Sequence, residues 1–226
     1  MSDQHTTDIL IYSRTDLPHH PSIPVGVGAL LQLSSRIGLR AVPTEDPSWF
    51  TREEARRIRG VILLNTACDG MSDGQRAGLQ ATVRSGGGIV AIHAASYFET
   101  EWEWYERMIG ARFAGHPEPQ IATVRVADPS HPATEHMPEA WSHFDEWYNF
   151  REVPRGVRIL ATVDEGSYKG GAHGAHHPVI WCHSFDGGRV FYTALGHTVE
   201  CFTDEVYLDH VAGAIRWACE GGRVPG

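Results

Sequence analysis

No two cysteines of this chain stand in a CxxC arrangement: Cys68, Cys182, Cys201 and Cys219 are isolated. That pattern predicts free thiols in a reducing compartment, hence a cytoplasmic protein. No apolar run approaches the ~18 residues that a membrane-crossing helix needs. The start, Met1 to Asp8, lacks the basic-then-apolar plan of a signal peptide, so no membrane partner is expected. Positive charge is also scarce: 19 Lys and Arg face 28 Asp and Glu, a net charge of −9. Without a basic patch, nucleic acid is not an expected partner. There is no HExxH, no standard zinc spacing, no internal repeat and no linker, so one domain over 1–226 is expected. What the chain does have is histidine, fourteen of them.

The first half alternates strand and helix signals. Ile9–Ser13 reads as a first strand, and Val25–Ile37 has helical apolar spacing with Gly38 as its C′ residue. Arg40–Pro43 fits a second strand. Thr51 with Glu54, and Ser72 with Gln75, fit capping boxes at helix starts. Val61–Asn65 is continuously apolar, as in a strand covered on both faces. Then comes Gly86-Gly87-Gly88-Ile89-Val90-Ala91-Ile92-His93-Ala94-Ala95-Ser96, a turn, a buried strand and a switch to small residues. In α/β enzymes such a strand-to-helix elbow presents a nucleophile; here its tip is His93. This alternation predicts βαβ units and a parallel sheet.

After His93 the pattern changes. Trp102–Ile109 reads as a short helix, and Ile121–Ala127 alternates with period two. Arg158–Val163, Val179–Phe185 and Arg189–Leu195 read as strands, the last two joined by a tight turn at Asp186-Gly187-Gly188. Glu205–Cys219 closes the chain as an amphipathic helix. The expected fold class is α/β, with a mainly parallel sheet and an antiparallel extension.

Ligands of open parallel sheets gather beyond the carboxyl ends of the strands. His19 and His20 follow the first strand, His93 ends the fourth, His197 follows a late one, and His183 lies near the end of Val179–Phe185. Asp145 and Glu146 interrupt the aromatic run Trp141–Phe150. Imidazoles with a carboxylate support either a divalent metal with an open position or proton exchange near neutral pH. Plainer readings apply elsewhere. His5 reads as a tail residue and His210 as a packing or surface residue. His116, His131 and His177 each precede proline, which holds them extended. Trp147 and Trp181 read as core residues, with sugar stacking as the alternative.

The segments Tyr12-Ser13-Arg14-Thr15, Gly87 to Ala95, Asp145-Glu146-Trp147-Tyr148-Asn149-Phe150, His177 to His183 and Gly187 to Thr198 resemble the trehalose-utilisation (ThuA-like) family over nearly the whole chain. The resemblance implies the class I glutamine-amidotransferase-like fold, a flavodoxin-like three-layer sandwich. It also implies a role in carbohydrate metabolism, beside oxidoreductases that make 3-keto-glycosides. Amidotransferases of that superfamily carry cysteine at the elbow, with a late histidine and a glutamate. Here His93 takes the elbow, while His197 and Glu200 match the late pair. Glutamine hydrolysis through a thioester therefore lacks its nucleophile.

The expected activity is that of an enzyme acting on a disaccharide or glycoside already oxidised to a 3-keto sugar, by isomerisation, elimination or hydrolysis. Glu146 or His93 is the expected base and His197 the acid. His20 and His183 are the expected ligands of a zinc, manganese or nickel ion, and no nucleotide cofactor is expected. Tyr148, Tyr168, His177 and Trp181 are expected at the sugar. A plain glycosidase is disfavoured, because the adjacent Asp145 and Glu146 would point to opposite faces of a strand. The alternative from another class is a non-catalytic sugar-binding or sensor domain. The expected partners are a small-molecule sugar and a second copy in a homodimer.

Overall fold

The computed structural model describes residues 7–17 and 20–220, without the Arg56 side chain. His5 and His19 lie outside the described residues. The chain runs β1 (Ile9–Tyr12), α1 (Ser22–Arg36), β2 (Ala41–Thr44), β3 (Gly60–Leu64), α2 (Asp73–Arg84), β4 (Gly88–Ile92) and α3 (Glu103–Ile109). It continues through β5 (Phe113–Gly115), β6 (Gln120–Val126), β7 (Ala140–Asp145), β8 (Asn149–Phe150), β9 (Arg158–Asp164), β10 (Pro178–Phe185) and β11 (Gly188–Thr193) to α4 (Glu205–Glu220).

One nine-stranded sheet has the order β2-β1-β3-β4-β11-β10-β9-β6-β7. From β2 to β11 every neighbouring pair is parallel; from β11 outward through β10, β9, β6 and β7 every pair is antiparallel. β3 and β4 are buried at every position, as strands covered on both faces must be. The outer β7 alternates exposed and buried residues instead.

Glycines show which helices cover which face. A Cβ on Gly60 or Gly88 would meet Cys219 or Ala218 of α4, and α4 packs beside α1. Tyr12, on the opposite face, meets Phe50 and Phe98. Phe50 abuts Gly78 of α2 and Phe98 abuts Tyr105 of α3. Two helices thus sit on each side of the sheet, a three-layer α/β sandwich.

Local signals act where expected. Ser72 and Gln75 form a reciprocal capping box at α2. Asp186 and Gly187 both take positive φ in the β10–β11 turn, which suits the right-handed strand twist. The Thr51–Glu54 pair does not start an α-helix. Two short 3-10 turns, Pro47–Thr51 and Glu53–Arg56, stand there, and the Thr51 hydroxyl donates back to Ser48 O at 2.7 Å.

Candidate functional site

β4 and β11 are parallel neighbours, so the residues following each meet at one rim. His93 takes φ +49 as β4 turns into a 3-10 segment, a left-handed conformation uncommon for a side-chain-bearing residue. Tyr192 holds that bend by donating its hydroxyl to His93 O at 3.0 Å. Asn65, at the end of β3, donates to Gly196 O at 3.0 Å and fixes the loop after β11.

The His93 ring is fully buried. Its Nδ1 lies 2.7 Å from Ala194 O; a carbonyl only accepts, so Nδ1 carries a proton. Nε2 lies 3.2 Å from Glu146 Oε2. In a neutral ring that nitrogen bears a lone pair, and two acceptors then face each other. The contact calls for a proton or a cation between them.

Glu146 collects three imidazoles. Its Oε2 is also 3.5 Å from His197 Nδ1, and its Oε1 is 3.1 Å from His116 Nδ1. Burial raises the Glu146 pKa, but the His93 hydrogen bond and the positive potential of His93, His197 and His116 outweigh it and leave it below the ordinary value. The carboxylate is ionised at neutral pH. The His197 pKa is lowered, by burial first and by His93 second, with Glu146 pulling the other way. That leaves a neutral imidazole, better suited to ligation or proton acceptance than to the acid role expected for it.

His20, His93 and His197 each offer one ring nitrogen, and these lie within 4.8 Å of one another. The ring centroids are 5.1–6.0 Å apart. His197 Nδ1 is buried without a hydrogen-bond partner among the described residues. Together with His93 Nε2, which faces Glu146, and that carboxylate, this set fits a divalent transition metal.

Asp145 works from behind. Fully buried, its Oδ2 accepts from Gly196 N at 2.7 Å and its Oδ1 from His197 N at 3.1 Å. Burial raises its pKa, yet His143, His93 and the Gly196 amide bring the net value below ordinary.

In front of the cluster lies a cavity of about 410 Å³ lined by Leu17, His20, Tyr97, Phe113, His116, Glu146, Tyr148 and His197. The Tyr148 ring sits 4.0 Å from that of His93. The structure therefore brings together His20, His93, Glu146, Tyr148 and His197.

It does not bring in the others. His183 was expected as a metal ligand, but β10 runs antiparallel, so its carboxyl end points away from this rim. His183 pairs with Val190 and its Nε2 lies 2.8 Å from Met108 O. Trp181 is fully buried, donates to Ile109 O at 2.7 Å and stacks on Tyr192. His177 is buried between Glu165, the Tyr168 hydroxyl and Tyr148 O, and so supports the Tyr148 backbone from beneath. Tyr168 is committed to that network. Glu200 is exposed and outside the lining. His116, read from sequence as a pre-proline loop residue, does join the site. Its partner Glu146 is thirty positions away, so no local signal marks it.

The family model described as ThuA, trehalose utilisation, matches residues 8–218. A ThuA-like protein of Bacteroides uniformis ATCC 8492 is 25% identical, with TM-score 0.81 over 96% of this chain and 93% of that one. A ThuA-like protein of Parabacteroides merdae ATCC 43184 shares the fold at 18% identity, with TM-score 0.77 over 97% and 92%. The fold also recurs within the β-galactosidase of Bacillus circulans sp. alkalophilus, at 10% identity and TM-score 0.60, covering 97% of this chain and 32% of that one. No curated protein matches. With the family model spanning nearly the whole sandwich and its histidine-lined rim, the chain belongs to the ThuA, trehalose utilisation, family.

Proposed function

We propose that this protein is an enzyme that moves a proton on an oxidised sugar, a 3-keto glycoside, in the cavity in front of His93. The observation that carries the reading is Glu146, an ionised carboxylate ringed by three imidazoles at 3.1–3.5 Å. Family membership supplies the carbohydrate context. A ketone acidifies the neighbouring C–H bond. Glu146 takes that proton, and the C–H electron pair moves into a carbon–carbon double bond as the ketone oxygen becomes an enediolate oxygen. Return of the proton to the former ketone carbon, with the hydroxyl proton of the first carbon passing to the former ketone oxygen, completes an isomerisation; re-formation of the ketone as the C1–O bond breaks, with the departing oxygen protonated through His116, instead completes an elimination. His116, partly exposed and within reach of Glu146, passes the proton to and from water.

His20, His93 and His197 would hold a divalent metal, which when bound would supply a positive charge beside the enediolate oxygen. His93 Nε2, 3.2 Å from Glu146 Oε2, orients that carboxylate through the proton or the cation between them, and the walls of Phe113 and Tyr148 limit water around the reacting carbon. A glutaminase reading has no support, since the four cysteines are buried and none is at the elbow.

The test follows solvent deuterium entering the carbon next to the ketone of a 3-keto-disaccharide. Wild-type protein incorporates it, and Glu146→Gln loses ~10²–10⁴-fold in rate. Sugar that is bound but never exchanged by the wild type would refute the enzyme and favour a sensor.

A further inference from the structure

We infer that the mouth of this cavity is a second subsite, built for the unreacted pyranose ring of a disaccharide substrate; the inference rests on the function proposed above. The cavity is polar at one end and apolar at the other. His20, Glu146 and His197 gather at its floor, the exposed His116 stands over Glu146, and Leu17, Tyr97 and Phe113 complete its lining. An aromatic series joins the two ends. The His93 ring is 4.0 Å from Tyr148, Tyr148 is 4.4 Å from Phe113, and Phe113 meets Tyr97 edge-on at 5.5 Å. Exposure rises along it, from none at His93, through a half-buried Phe113, to 41% at Tyr97.

Large apolar side chains left in water call for an explanation when they cluster in a concavity. Only five such exposed residues occur among the described ones, and two of them, Leu17 and Tyr97, face this cavity. The reacting ring needs the acid–base groups of the floor. A second ring needs only a flat apolar surface for its C–H face and a hydroxyl at the edge, and a partly exposed tyrosine offers both. At about 410 Å³ the space is at the lower end of the ~300–1,000 Å³ common for small-molecule sites.

The test combines binding and turnover. Calorimetry compares trehalose with methyl glucoside, neither of them oxidised, and kinetics compares 3-keto-trehalose with 3-keto methyl glucoside. Both are run on wild type, Tyr97→Ala, Tyr97→Phe and Phe113→Ala. The expected result is a wild-type preference for the two-ring ligand in affinity and in KM. Tyr97→Ala reduces that preference about tenfold, and Tyr97→Phe, which keeps the ring, retains it. A preference unchanged in both alanine variants overturns the subsite while leaving the catalytic reading intact. Trehalose binding that depends on Tyr97, without turnover of either keto sugar, upholds the subsite and removes the catalytic reading. Binding of neither sugar by the wild type, together with turnover of neither keto sugar, overturns both.

Discussion

Asp145 and Glu146 are consecutive, yet they hold His197 from two directions. Asp145 takes the backbone amide of His197 at 3.1 Å, and Glu146 faces its ring nitrogen at 3.5 Å. The alternation of a strand end sends the two carboxylates to opposite sides. One therefore builds the loop, and the other faces the cavity.

Asp145→Asn separates those duties. The amide nitrogen cannot accept, so at least one N–H of Gly196 or His197 loses its buried partner, at a cost of about 1–3 kcal/mol. With His197 released, zinc affinity measured against a competing chelator is expected to fall ~10–100-fold. Wild-type zinc affinity in this variant would show that the loop is held by other means.

The pH dependence of turnover has a defined sign. His197 has its pKa below the ordinary 6.5, and Glu146 lies below 4.5. Both are in their proton-accepting forms at pH 7, so kcat/KM is expected to be level there and to fall only on the acid side of pH 6.5. A log kcat/KM profile that falls already between pH 8 and 7 would contradict these environments.

Gly196 takes φ +115, and a Cβ there would lie 2.4 Å from the Tyr207 hydroxyl and 2.7 Å from Ile92. Gly196→Ala must therefore move the loop that carries His197. The expected cost is ~1–3 kcal/mol in denaturant unfolding, accompanied by lost turnover. A variant as stable and as active as wild type would show that the loop yields freely.

His210, on α4, is buried and donates to Ala133 O at 2.8 Å. Burial, only partly offset by that bond, pushes its pKa down from 6.5 to about 4. The unfolded chain binds this proton from pH 6.5 downward, whereas the native state resists until about pH 4. Stability present above 6.5 is thus lost across that window, by about 3 kcal/mol for this group. Urea unfolding at pH 7 and pH 4.5 should show a smaller acid loss in His210→Gln than in wild type.

Much of the sandwich is readable from residue order. β3 and β4 are unbroken apolar runs, Ser72 and Gln75 mark the start of α2, and Asp186-Gly187 marks the hairpin. β7 escaped notice because its inward positions include His143 and Asp145, so burial there is not written in apolar letters. The Thr51–Glu54 signal failed because a capping box states where a helix can begin, not that its interior packs.

The meeting of His93 and His197 in the candidate site was readable from where parallel strands end. His183 was misplaced because strand direction reverses between β11 and β10; the tight turn at Asp186-Gly187 announces that reversal, but the strand-exit rule holds for β10 only if it runs parallel. Tyr168, His177 and Trp181 carry residue types that suit sugar contacts, yet Tyr168 and His177 form a buried network under the Tyr148 backbone and Trp181 packs between Phe150 and Tyr192. Asp145 and His116 act through partners distant in the chain, which spacing alone does not reveal.

The rim draws on both halves of the sheet, with His93 and His197 following parallel strands and Glu146 following the antiparallel β7. A molecule gripped by this set clamps the parallel half of the sheet to the far edge of its antiparallel half. Its binding energy then opposes the melting of the whole sandwich rather than of a single flap. Bound sugar should accordingly raise the midpoint of global denaturation and slow amide exchange in β4 and in β7 alike.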